Sequence, residues 1–204
     1  MEMAARPAGR APASSARRKS ATDRRAELIG IGLRLLVDTP IHELSIDQVA
    51  EQAGISRGLL FHYFDTKADY YVAVIDAAAR RMLDQAKDSG VGTSRERLRE
   101  IAMGLTAFIR RRTRNYVALV RGATGGDERV AEVVRAARSE LSVRLLHAAG
   151  VVTPTAWQQL TARGWLAMVE EIAIEGDAHD FPTETLVDRL LDNLVHSLEA
   201  PGPG

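Results

Sequence analysis

An all-α fold of about nine helices is what the sequence predicts, on three observations. Apolar residues recur at spacings of three and four along most of the 204-residue chain, the period that gives a helix one buried stripe. Aromatic residues reach only 5% while hydrophobic residues reach 46%, so the core is built mainly of Leu, Val, Ile and Ala, as where helices pack on helices. Nearly every Gly and Pro falls between the periodic stretches rather than inside them.

Residues 1–21 are mostly Ala, Arg, Pro and Ser with almost nothing to bury, which predicts a basic arm that is disordered without a partner. The folded part begins near Thr22, where Leu28, Ile31, Gly32, Leu35 and Leu36 mark an amphipathic helix stopped by Thr39-Pro40. Ser45 and Gln48 have the spacing of a capping box and open a short helix buried through Ile46, Val49 and Ala50. Gly54 permits the positive φ that leaves this helix, and Ser56 caps a second short helix only a few residues on, so the two must cross steeply. Thr66 and Asp69 open a long helix through Tyr70, Val74, Ile75, Ala78 and Met82, broken at Gly90-Val91-Gly92. Thr93 and Glu96 form another box before Leu98, Ile101, Leu105, Phe108 and Ile109. Arg110, Arg111 and Arg112 then supply cations that suit a helix C-terminus. A short helix over 116–123 ends in Thr124-Gly125-Gly126, and Asp127 starts another that reaches about residue 149. Pro154 and Pro182 stand at the first turns of the last two helices.

The composition excludes several functions. With no Cys there is no disulfide, zinc finger or thiolate chemistry. No segment has the apolar run of a signal peptide or a membrane span, so a soluble, cytoplasmic protein is expected. No catalytic residues, metal site or cofactor are expected, since no nucleophile-base pattern, P-loop or dinucleotide motif occurs, and Asp177, His179 and Asp180 sit in a polar linker. The net charge of zero is unevenly spread: residues 1–25 hold seven basic side chains against Glu2 and Asp23, leaving −5 on the remainder. A basic arm set near nucleic acid and a merely solvated tail are both consistent with that asymmetry.

Two capped helices, a turn glycine and an aromatic pair keep a specific spacing in Val49-Ala50-x2-Ala53-Gly54-Ile55-Ser56-x-Gly58-x-Leu60-Phe61-x-Tyr63-Phe64-x2-Lys67. This pattern resembles the tetracycline-repressor (TetR) family of one-component regulators, and chain length and helix count agree. The resemblance implies a helix-turn-helix domain over 22–66, whose second helix enters the major groove, and a ligand-binding and dimerisation domain over 67–200. The chemistry of the residues agrees with it. Ile55, Leu60 and Phe64 face inward, while Arg57 can donate two bonds to guanine O6 and N7. Gly58 lets the helix approach closely, and Leu59 and Phe61 can make apolar base contacts. Ser45, Ser56, His62, Tyr63 and Lys67 can reach phosphates. Phe61 stands where the family usually has Tyr, which removes a hydroxyl from the DNA side. An aromatic plug in the small core is the other reading of Phe61, His62 and Tyr63.

Partners follow from the same resemblance: duplex DNA with a palindromic site, a small-molecule effector, and a second copy of the chain. Met82, Met103, Phe108, Tyr116, Trp165 and Met168 are candidate pocket walls, each of which could equally be ordinary core. Arg121, after an apolar run, is read either as paired with Glu170 or Glu171 or as an anchor for an anionic ligand. The last two helices look too apolar for a monomer surface. Leu186, Leu190, Leu194 and Leu198 form one stripe and Trp157, Leu160, Gly164 and Met168 another, and the family resemblance implies that these two helices build the dimer interface. Control by a protein partner, or a helical interaction protein without DNA binding, are the rival classes.

Overall fold

The computed structural model describes residues 20–39, 43–120, 127–176 and 181–200. The expectations for the basic arm through residue 19, for Arg121 and for Asp177, His179 and Asp180 lie outside the described residues.

Nine helices and no strand are present among the described residues. Helix α1 (Ala21–Leu35) starts at a reciprocal capping box of Ser20 and Asp23. The next two helices, α2 (Ile46–Gln52) and α3 (Arg57–Leu60), are short and joined through Gly54, whose φ of 63° is the left-handed turn expected of it. Ser45 caps α2 by accepting from the Asp47 N–H; the reciprocal box with Gln48 does not form, so only half of that reading holds. Leu28, Ile31, Val49, Leu60 and Phe64 make one core with Tyr70 and Val74 of α4 (Lys67–Gln85). The Tyr70 hydroxyl donates to the Leu28 carbonyl at 2.9 Å and the Tyr71 hydroxyl to that of Leu44, tying the long helix to the N-terminal three.

The second core joins the C-terminal half of α4 to α5 (Ser94–Arg111), α6 (Thr113–Val120), α7 (Glu128–Ala148), α8 (Ala156–Glu175) and α9 (Thr183–Glu199). A capping box of Thr93 and Glu96 opens α5 as expected. Helix α8 starts later than Pro154 suggested, at a box of Thr155 and Gln158, because that pair satisfies the free N–H groups that a proline merely tolerates. Pro182 stands at the N-cap of α9, one residue before the first turn, and makes no side-chain cap bond.

Gly104 marks the closest approach of two helices: a Cβ there would lie 1.9 Å from the carbonyl oxygen of Gln85, at the end of α4. Rigid backbone stands in the way, so Gly104→Ala is expected to force α4 and α5 apart at a cost of about 1–3 kcal/mol or more. Gly30→Ala is the control. Its Cβ would meet only the end of Arg34 at 3.9 Å, so it should gain the helix propensity of alanine, about 1 kcal/mol. Thermal denaturation should therefore move in opposite directions for the two; equal shifts would contradict the packing.

One expectation is overturned. Leu190, Leu194 and Leu198 are not a surplus stripe, because α9 packs on α5 as well as α8 and buries them, with Val187 and Leu191, in the chain's own core. Leu186 is half-buried. Of these two helices it is α8 that leaves an apolar stripe open: Trp157 is 36% and Leu160 56% exposed, and nothing stands within 4 Å of a Cβ on Gly164.

Candidate nucleic-acid interface and ligand pocket

Leu60 (fully buried) and Phe64 (3% exposed) press α3 onto the N-terminal core, which turns the opposite side of α3 outward. Arg57, Gly58, Leu59 and His62 are exposed there, and Phe61 and Tyr63 are half-buried against the core. Phe61 and Tyr63 pack one side against the core and keep the other open, and His62 projects, its ring edge-on to Tyr63 at 5.4 Å. The Ser56 hydroxyl accepts from the Leu59 N–H at 3.2 Å, so both Ser45 and Ser56 hold caps and present only their remaining hydrogen-bonding capacity. Arg57 lies 3.4 Å from both carboxylate oxygens of Asp47 on α2 and 5.7 Å from the Phe61 ring centroid. At that length and exposure the pair orients the guanidinium without tying it up. Lys67 is exposed at the first residue of α4, with its ammonium 5.0 Å from the Tyr71 ring centroid. These groups form one positively edged face on a rigid two-helix platform, the arrangement that fits a major groove.

The second site is a cavity of about 50 Å³ between α4, α5, α6 and α7, lined by Ile75, Met82, Phe108, Tyr116, Ala137 and Arg138 among others. Of the expected walls, Met82, Phe108 and Tyr116 are here. Met103, Trp165 and Met168 line no part of it: they pack in the C-terminal core, and the Trp165 indole donates to the Leu190 carbonyl at 2.7 Å, holding α8 to α9. Arg138 was missed, and with it the main polar feature of the site. Glu170, 3% exposed on α8, accepts from Arg138 Nε at 2.9 Å, from its Nη2, and from the Tyr116 hydroxyl at 2.8 Å. Burial, and then the charge of Glu170, push the Tyr116 hydroxyl far above its usual range, so it stays a donor. Arg138 answers Glu170 from the cavity rim, where α7 packs on α8. The reading of Arg121 as a partner of Glu170 or Glu171, or as an anion anchor, lies outside the described residues.

Next to Tyr116 is Asn115, 5% exposed, whose amide donates to the carbonyls of Leu36 at 2.6 Å and Thr39 at 3.0 Å. Successive residues of α6 thus hold the end of α1 on one side and the cavity wall on the other. No helix among the described residues is long and apolar enough to cross a membrane.

Fold and exposed α3 face together define a helix-turn-helix DNA-binding protein with a helical C-terminal domain. Residues 28–74 match the model of the bacterial regulatory proteins, tetR family, and residues 94–197 that of the tetracyclin repressor-like C-terminal domain; the chain belongs to the tetR family of transcriptional regulators. It is 25% identical to the HTH-type transcriptional activator FasR of Mycolicibacterium smegmatis over 56% of this chain and 53% of FasR. It is 34% identical to the HTH-type transcriptional regulator BetI of Yersinia pestis over 40% of this chain and 43% of BetI, so the match spans about half the length of these relatives. A crystal structure of a tetR-family regulator from Streptomyces coelicolor superposes with a TM-score of 0.78 at 28% identity, covering 88% of this chain and 82% of that one.

Proposed function

We propose that this chain is a one-component repressor that binds a palindromic operator as a homodimer and is released by a small, largely apolar ligand in the C-terminal domain. In this reading residues 22–66 are the DNA-binding unit and 67–200 the ligand-binding and dimerisation unit. The observation that carries it is the exposed α3 face, with Arg57 free to read a base edge and a glycine beside it where the backbone must come close. Leu59, 41% exposed, supplies the apolar contact, and His62 and Lys67 the phosphate contacts.

Release by ligand draws its support from Asn115 and Tyr116. A ligand that swells the cavity displaces Tyr116, and α6 carries Asn115 with it, loosening the end of α1, on which α2 is seated and through α2 also α3. Because about 50 Å³ is far below the roughly 300–1,000 Å³ of ordinary ligand sites, binding must move the cavity walls.

Selection of duplexes from a random library at low salt tests the DNA reading. A palindrome with half-sites about 34–36 Å apart is expected, with affinity falling steeply as salt rises. Arg57→Ala should relax base preference at one position per half-site, a loss of about 1–3 kcal/mol of discrimination. Lys67→Ala should weaken all sequences equally and flatten the salt slope. Recovery of no duplex would remove the reading.

A further inference from the structure

The arginines that end α5 do more than answer its dipole. Arg110 bonds the Thr183 hydroxyl at the start of α9, a structural use. Arg112 has none. It is the C-cap of α5, half-buried, with its guanidinium carbon 4.6 Å from the centroid of Phe108, whose ring is a wall of the cavity. Its Nη1 is buried and donates to nothing. The charges acting on it are cations, Arg81 on α4 and Arg111, which add to burial in pulling the guanidinium below its usual range. A structural arginine is normally answered by a carboxylate, as Arg138 is by Glu170. Arg81 adjoins two cavity residues, being next in sequence to Met82 and one turn beyond Ala78. The cations thus gather beside a cavity that is apolar apart from Tyr116 and Arg138.

We propose that Arg112, flanked by Arg81 and Arg111, holds the oxyanion head of an amphipathic ligand whose apolar tail enters the cavity behind Phe108. The chemistry required is a carboxylate or a phosphate monoester on an alkyl chain. Either takes the planar fork of an arginine, supplies the acceptor that Nη1 lacks and offsets the like charges around it. This deepens the ligand reading above and rests on it. The tail must part α6 from α5 and α7 as it enters, the same movement that loosens α1.

Titration calorimetry of the full chain with octanoate, octyl phosphate and 1-octanol tests the assignment. At least one of the two anions is expected to bind at least about tenfold tighter than 1-octanol, and which one does so separates carboxylate from phosphate recognition. Arg112→Ala should erase that preference by weakening the anion far more than 1-octanol, and Arg112→Lys should restore part of it, as a point charge does without a fork. Without ligand, Arg112→Ala should melt close to the wild type, because losing a buried donor that bonds nothing offsets the lost contact with Phe108. Ala78→Leu, which fills the cavity, should weaken all three probes. Equal binding of the three, all weakened by Ala78→Leu, would overturn the head site and leave the pocket standing. An anion preference that survives Arg112→Ala would also overturn it, and no binding of any probe would overturn it together with the pocket.

Discussion

Glu170→Leu is expected to lower the melting temperature by roughly 6–12 °C, the equivalent of about 3 kcal/mol in a chain of this size. Glu170 lies 4% exposed at its side chain and answers two donors at once, the Arg138 guanidinium and the Tyr116 hydroxyl. Removing it leaves the Tyr116 hydroxyl buried with a proton to donate and an arginine facing apolar walls. Because the Arg138 side chain is 37% exposed, water relieves part of its loss, which puts the figure at the low end for a broken buried pair. Glu170→Gln should lose less, since an amide oxygen can still accept from Tyr116. Calorimetry on the two variants decides it: equal and negligible shifts would mean that the pair is not structural.

The fold was legible where local chemistry decides it. Caps at Thr66, Thr93 and Asp127 and the left-handed turn at Gly54 are contests between neighbouring groups, readable from neighbouring residues. Where two local solutions compete, only tertiary context chooses. Ser45 could reach the N–H of Asp47 or of Gln48, and Pro154 competed with the Thr155 box for the start of α8. The α9 stripe failed for a larger reason. Periodicity tells how wide an apolar face is, but not how many neighbours cover it, and α9 has two.

The site shows the same division. Leu60 and Phe64 inward, Arg57 and Leu59 outward, follow from the helix period once caps fix the phase. The pocket did not follow, because Arg138 sits in a run of charged and small residues on α7, indistinguishable in sequence from a solvated face. Two successive helices, α7 and α8, had to pack before its carboxylate partner, 32 residues on, could be found. The available signal was a glutamate in the middle of an apolar helix, Glu170 between Val169 and Ile172, which announces a buried partner without naming it.

In the proposed homodimer, Trp157→Glu combined with Leu160→Glu is expected to leave a folded monomer whose operator affinity falls by about 10²–10⁴-fold, the advantage of joining two binding events in one body. Both side chains are exposed in the single chain, so neither substitution disturbs its core. Both also lie in the first two turns of α8, where added carboxylates suit the helix N-terminus. An isologous contact brings the same patch of both copies together, so four new carboxylates would gather at one interface, close to Gly164 where the helices can approach. Charges at Leu190 and Leu194 would do something different, placing carboxylates in the buried face of α9 and unfolding the chain. Sedimentation, circular dichroism and titration against full and half operators separate these outcomes. The expected double variant is monomeric and helical, binding a half-site duplex as the wild type does while losing the full palindrome. A variant that remains dimeric would move the interface off this face of α8, and a monomer that holds the full operator unchanged would remove dimerisation from the mechanism of recognition.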